Sequence, residues 1–81
     1  MKLAITERAA VQYRDLPRPI QRKFDKQLGY LLVDLRHPSL KAKKYDEARN
    51  VWQGRVDRNY RFYFLIQGDT YYVLSVIPHP K

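Results

Sequence analysis

Residues 51–79 carry three runs of alternating apolar and polar positions, at 51–56, 60–66 and 70–77. A period of two is the pattern of half-buried β-strands. Asp57-Arg58-Asn59 supplies turn chemistry after the first run, and Gly68-Asp69 is a strong two-residue hairpin signal after the second. A three-residue first loop pairs Val56 with Tyr60, Arg55 with Arg61, Gly54 with Phe62, Gln53 with Tyr63 and Trp52 with Phe64. Trp52, Val56, Tyr60, Phe62, Phe64 and Ile66 then share one face, which is expected to be core, and Gly54 leaves room for the Phe62 ring. The other face sets Arg55 directly across from Arg61. Like charges in that position repel, unless an anion such as phosphate sits between the two guanidinium groups. Both are expected to project into open solvent.

Upstream, Lys2-Leu3-Ala4-Ile5-Thr6 fits a short first strand, with Thr6 capping a helix that starts at Glu7. Ala10, Tyr13 and Leu16 give that helix a narrow apolar stripe before Pro17-Arg18-Pro19 stops it. Pro19 suits the first turn of a second helix. Ile20, Phe24, Leu28, Leu31, Leu32 and Leu35 recur along it at helical spacing. This helix is predicted to end near Arg36-His37, because Pro38 disfavours helical geometry before it, with His37 as a C-terminal cap. Residues 39–50 read as a polar connection bearing Lys41, Lys43, Lys44 and Arg49. The predicted order is β-α-α-β-β-β, a single α+β domain over residues 1–81. Its antiparallel sheet would carry a helical pair on one face and leave the other open.

Parity creates one conflict. A strict two-residue turn at Gly68-Asp69 pairs Arg61 with Val76 and sends His79 to the face opposite the arginines. Bringing His79 beside them requires a bulge, a longer turn or a break at Pro78.

Charge changes the picture next. Sixteen Lys and Arg against eight Asp and Glu leave a formal charge of +8 on 81 residues. That predicts attraction to nucleic acid, an anionic membrane surface or an acidic protein, without choosing among them. There is no cysteine, and the two histidines, His37 and His79, have no ligand-like spacing. No metal or cofactor is therefore expected. No apolar run approaches the ~20 residues of a membrane span, and Met1-Lys2-Leu3 opens no signal peptide, so a cytoplasmic protein without a membrane partner is expected.

Trp52-Gln53-Gly54-Arg55-Val56, Tyr60-Arg61-Phe62-Tyr63-Phe64 and Ser75-Val76-Ile77-Pro78-His79, in this order of elements, resemble the RelE/ParE toxin superfamily. The resemblance implies the toxin of a type II toxin–antitoxin system, neutralised by a cognate antitoxin. Its RelE-like branch implies a metal-independent endoribonuclease that cuts messenger RNA on the ribosome and so inhibits translation. Its ParE-like branch implies instead an inhibitor of DNA gyrase without nuclease activity; a third alternative is a decayed RNA- or antitoxin-binding module.

Within the RelE-like reading, the 2′-hydroxyl attacks the adjacent phosphate. The transition state needs cations and the leaving 5′-oxygen needs a proton. Arg61 matches the arginine that contacts the scissile phosphate, and Arg55 shares that charge. His79 matches a basic position at the end of the last strand. Because histidine titrates near neutrality, it is the candidate general acid. Gln53 stands where the RelE-type site has a lysine and, with Tyr63 on the Arg61 face, is expected to contact substrate. Lys41, Lys43 and Lys44 are expected to bind flanking phosphates or ribosomal RNA, and Lys44 is also a candidate for orienting the reaction.

Overall fold

Thr6 ends the first strand and begins the first helix within one residue, because its Oγ1 accepts the Ala9 N–H (3.2 Å) while donating to the Leu74 carbonyl (3.1 Å). In the computed structural model, which describes residues 1–79, the order is β1 (Lys2–Ile5), α1 (Glu7–Asp15), α2 (Arg18–Val33), a 3₁₀ turn (Pro38–Leu40), β2 (Lys43–Asp46), β3 (Val51–Arg55), β4 (Tyr60–Gln67) and β5 (Thr70–Pro78). The strands form one sheet in the order β1-β5-β4-β3-β2. The fold is α+β, as expected, with two corrections. A fifth strand, β2, occupies part of the expected connection. The sheet is also mixed, because β1 runs parallel to β5 while the other pairs are antiparallel. β2 escapes the pattern because it is a short edge strand bonded on one side only, where lysines such as Lys43 and Lys44 discourage further pairing rather than mark a buried face.

The second helix ends earlier than its apolar stripe suggests. Asp34 leaves helical geometry (φ −159°) and its Oδ1 accepts the Arg36 N–H (2.9 Å), a local bond that competes with the next helical turn. His37 therefore does not cap α2. Its Nδ1 accepts the Ser39 N–H (3.1 Å) and caps the 3₁₀ turn, while its ring stacks on Tyr30 at 3.8 Å.

Phe24, Leu28 and Leu31 of α2 meet Phe62, Phe64, Val73 and Val76 of the sheet, with Leu40 of the 3₁₀ turn also fully buried. Phe62 lies between Phe24 (ring centroids 5.2 Å) and Phe64 (5.4 Å). α1 covers the part of β5 that β1 does not reach, where the Val76 N–H donates to Gln12 Oε1 (3.0 Å). That bond occupies an edge donor which would otherwise invite another strand.

The β3–β4 register is the one the alternation predicts: Trp52 opposite Phe64, Gln53 opposite Tyr63, Gly54 opposite Phe62 and Arg55 opposite Arg61. The parity conflict is resolved by a bulge. β4 and β5 pair Phe64 with Val73 but Tyr63 with Ser75, so Leu74 is the extra residue and Arg61 faces Ile77 rather than Val76. Two residues on, His79 returns to the arginine face, and its N–H donates to the Asn59 carbonyl (2.7 Å).

Candidate functional site

Because α1 and α2 occupy one side of the sheet, the side chains of Gln53, Arg55, Arg61, Tyr63 and Ile77 lie on the other. Lys43 joins them from β2, directly opposite Gln53. Lys41, Lys43, Gln53, Arg55, Arg61 and His79 line one cleft of about 300 Å³. Four of these six are Lys or Arg, and among the described residues no carboxylate lines the cleft. Such a surface attracts an anion and stabilises developing negative charge where the backbone already holds the cations in place. Among the described residues no cluster of His, Asp or Glu could hold a metal ion.

The two arginines differ, contrary to the expectation that both project freely. Arg61 is only 7% exposed, and its Nη1 donates to the carbonyls of Asp57 (2.6 Å), Tyr60 (2.9 Å) and Arg58 (3.3 Å). It ties down the β3–β4 loop while lining the cleft. Arg55 is half-buried, and its Nε is enclosed with no hydrogen-bond partner among the described residues. A buried donor left without a partner costs about 1–3 kcal/mol.

Two supporting residues were not singled out by motif. Gln27, 5% exposed, donates from Nε2 to the carbonyls of Arg55 (2.8 Å) and Ser39 (3.0 Å), and its Oε1 accepts the Ser39 hydroxyl (2.8 Å). It links α2 to the end of β3 and fixes the backbone that carries Arg55. The available signal is its position: three after Phe24 and four before Leu31, it is a polar residue on an apolar helix face. Gln27→Leu is expected to cost about 1–3 kcal/mol in urea denaturation, since it strands the Arg55 carbonyl and the Ser39 hydroxyl.

Asp57 is the other. Its Oδ1 accepts the N–H groups of Asn59 (2.8 Å) and Tyr60 (3.0 Å), and its Oδ2 meets Lys23 Nζ at 3.3 Å. Burial pushes this carboxyl up, but the Asn59 N–H, the Lys23 ammonium and the Tyr60 N–H outweigh it and hold the group below its ordinary 3.8. A carboxyl lowered on folding stabilises the native state above its unfolded value, and that contribution fades as pH falls through the folded value. The stability gap between wild type and Asp57→Asn is therefore expected to be open at neutral pH and to narrow below 3.8, measured by denaturant titration across that range.

Lys44 and Tyr63 lie outside the cleft. Lys44 shares the Trp52 side of the sheet rather than the cleft. Its Nζ lies 5.3 Å from the Trp52 ring centre and 3.9 Å from Glu47 Oε2, and it bonds Asn50 Oδ1. Tyr63 is on the arginine face but lines a neighbouring concavity with Tyr45. Burial, then Tyr45, pushes its phenol up, while Arg61 pulls it down; the net result is a raised value that keeps it protonated at neutral pH. Lys41 holds a left-handed backbone (φ +46°) where the 3₁₀ turn ends, a strained geometry for a lysine at the mouth of the cleft.

No protein-family model and no curated protein matches the sequence. Solved structures do match. A YoeB/ParE toxin from Agrobacterium tumefaciens aligns at TM-score 0.82 with 16% identity, over 99% of this chain and 100% of that one. An archaeal RelE–RelB complex from Pyrococcus horikoshii OT3 aligns at 0.78 with 15% identity, over 95% and 92%. The E. coli RelBE toxin–antitoxin complex aligns at 0.75 with 19% identity, over 99% and 98%. The chain shares the fold of these solved structures.

Proposed function

We propose that this chain, carrying the fold of the RelE and YoeB/ParE toxins, is a toxin that cleaves messenger RNA on the ribosome without a metal ion, and that an antitoxin holds it in check. The observation that carries the reading is the cleft itself, with Lys41, Lys43, Arg55 and Arg61 around one opening, His79 at its edge and, among the described residues, no acid in its lining. A sugar–phosphate chain is the polyanion such a groove fits. As the 2′-oxygen bonds phosphorus and its proton passes to solvent, Arg55 and Arg61 would stabilise the phosphorane-like transition state, and His79, exposed at the end of β5, would protonate the departing 5′-oxygen. Lys43, directly across from Gln53, would supply from β2 the ammonium that the resemblance places at position 53. An antitoxin partner is supported by the complexes among the matching structures, which are toxins crystallised with their antitoxins.

The test is cleavage by purified protein of a defined message on programmed ribosomes, comparing wild type with Arg61→Ala and His79→Ala. The expected result is discrete cuts by wild type that both variants lose. Unchanged cleavage in both removes the proposed site. The burial of Arg61 favours a second reading, in which the cleft holds RNA backbone without cutting it. In that case Arg55→Ala weakens RNA binding and no new transcript ends arise. A supercoiling assay with DNA gyrase covers the ParE-like alternative, where inhibition without transcript ends is the signature.

A further inference from the structure

Beside the cationic cleft, on the same open face, lies a second concavity of about 350 Å³, lined by Tyr45, Tyr63, Leu74 and Ile77, with Arg8 and Arg49 among its charged residues. It is built at two bulges. One, between Lys44 and Asp46, frees Tyr45 from the β2–β3 ladder; the other, between Tyr63 and Phe64, makes Leu74 the extra residue of β5. Bulges re-aim side chains and concentrate near functional sites, and here both deliver apolar or aromatic groups to one hollow. Tyr45 is 62% exposed, and its ring meets Tyr63 edge-on at 4.8 Å between centres. Large aromatic surface is thus left uncovered in water.

The hollow and the cleft are neighbours through the register. Gln53 lines the cleft, and its direct cross-strand partner Tyr63 lines the hollow. Along β4, Arg61 and Tyr63 are two residues apart, roughly 6.5–7 Å, a span comparable with one nucleotide of an extended strand. The charges fit the same ligand. Arg8 forms no ion pair among the described residues, whereas Asp46, the acid in the lining, is paired with Arg49 (3.7 Å).

We propose that this concavity is a base-binding subsite for single-stranded RNA, in which the nucleobase beside the scissile phosphate stacks on the exposed Tyr45 ring, with Tyr63 walling the hollow, while Arg8 holds the next phosphate. The proposal rests on the nuclease reading for the identity of the neighbouring phosphate. Stacking on aromatic faces accepts any base, so the subsite adds affinity and register more than sequence preference.

The experiment uses the whole chain and a short RNA carrying a 2′-deoxynucleotide at the cut site, in two forms that differ only by an abasic residue beside that position. Binding is followed by NMR of the tyrosine rings and by titration. The expected result is that Tyr45 and Tyr63 resonances shift, that the abasic form binds roughly ten- to hundredfold more weakly, and that Tyr45→Ala binds both forms alike. Because Tyr45 is largely exposed, that variant keeps the fold. Arg8→Ala is expected to reduce the slope of log affinity against log salt by about 0.7. Equal binding of the two forms by wild type overturns the proposal, as do unmoved tyrosine resonances. So does a Tyr45→Ala variant that loses only antitoxin binding, because the hollow then docks protein. The two readings separate cleanly. Discrimination between base and abasic forms without any transcript cleavage sinks the nuclease reading alone, and cleavage without discrimination sinks the subsite alone.

Discussion

Arg55→Ala is expected to slow transcript cleavage by about 10²–10³-fold while leaving the urea midpoint close to wild type. The rate estimate is that for removing one pre-placed transition-state donor. The small stability effect follows because Arg55 Nε has no protein partner to abandon among the described residues. Arg61→Ala is expected to behave differently, losing cleavage and about 1–3 kcal/mol of stability together, since the Asp57 and Arg58 carbonyls lose the guanidinium donor while Tyr60 keeps its backbone partners. Rates under single-turnover conditions, with denaturation curves on the same preparations, check both. Equal stability losses at the two positions would mean that Arg55 also serves the fold. Equal and full retention of cleavage would mean that neither guanidinium meets the reacting phosphate.

Gly54→Ala is expected to be the most damaging small change outside the charged residues. A Cβ at position 54 would lie 2.5 Å from Phe62 Cζ, well inside van der Waals contact. Phe62 is fully buried and held by Phe24 and Phe64, so it has nowhere to retreat. Overpacking of this kind costs about 1–3 kcal/mol or more, a large share of the ~5–15 kcal/mol that holds a typical domain together. Because Gly54 lies between Gln53 and Arg55, any strand displacement that relieves the clash also moves the cleft. Phe62→Leu in the same chain should recover part of the loss. Denaturation of the two single variants and the double variant measures that coupling. Strict additivity would place the strain elsewhere.

Alternation and turn chemistry were enough to read the β3–β4 ladder residue by residue, including the space above Gly54 and the face shared by Arg55 and Arg61. These features are local: a period of two and a short loop determine them. The Leu74 bulge is not local. Nothing in Tyr72-Val73-Leu74-Ser75-Val76 announces an extra residue, yet without it His79 lies across the sheet from the arginines. Parity alone showed that some such correction was required. β2 was hidden because an edge strand rich in lysine carries no apolar alternation. α2 stopped short because the Asp34 side chain captured a backbone N–H that a continuing helix would use. The burial of Arg61 arose from a loop whose carbonyls converge on one guanidinium nitrogen, an arrangement that composition does not encode. Gln27 was legible in principle, as an amide at core spacing on a helix, but its two carbonyl partners come from segments distant in the chain.

The most direct test of the cleft as a place where RNA reacts is the chemistry of the cut ends. Wild-type protein is given a ribosome-bound message with either ribose or 2′-deoxyribose at the cut site, and the fragments are resolved by mass. Attack by the 2′-hydroxyl predicts a 2′,3′-cyclic phosphate on the upstream fragment and no cut at the deoxy position. A cut that survives 2′-deoxy substitution, or an upstream fragment ending in a 3′-hydroxyl, would contradict it.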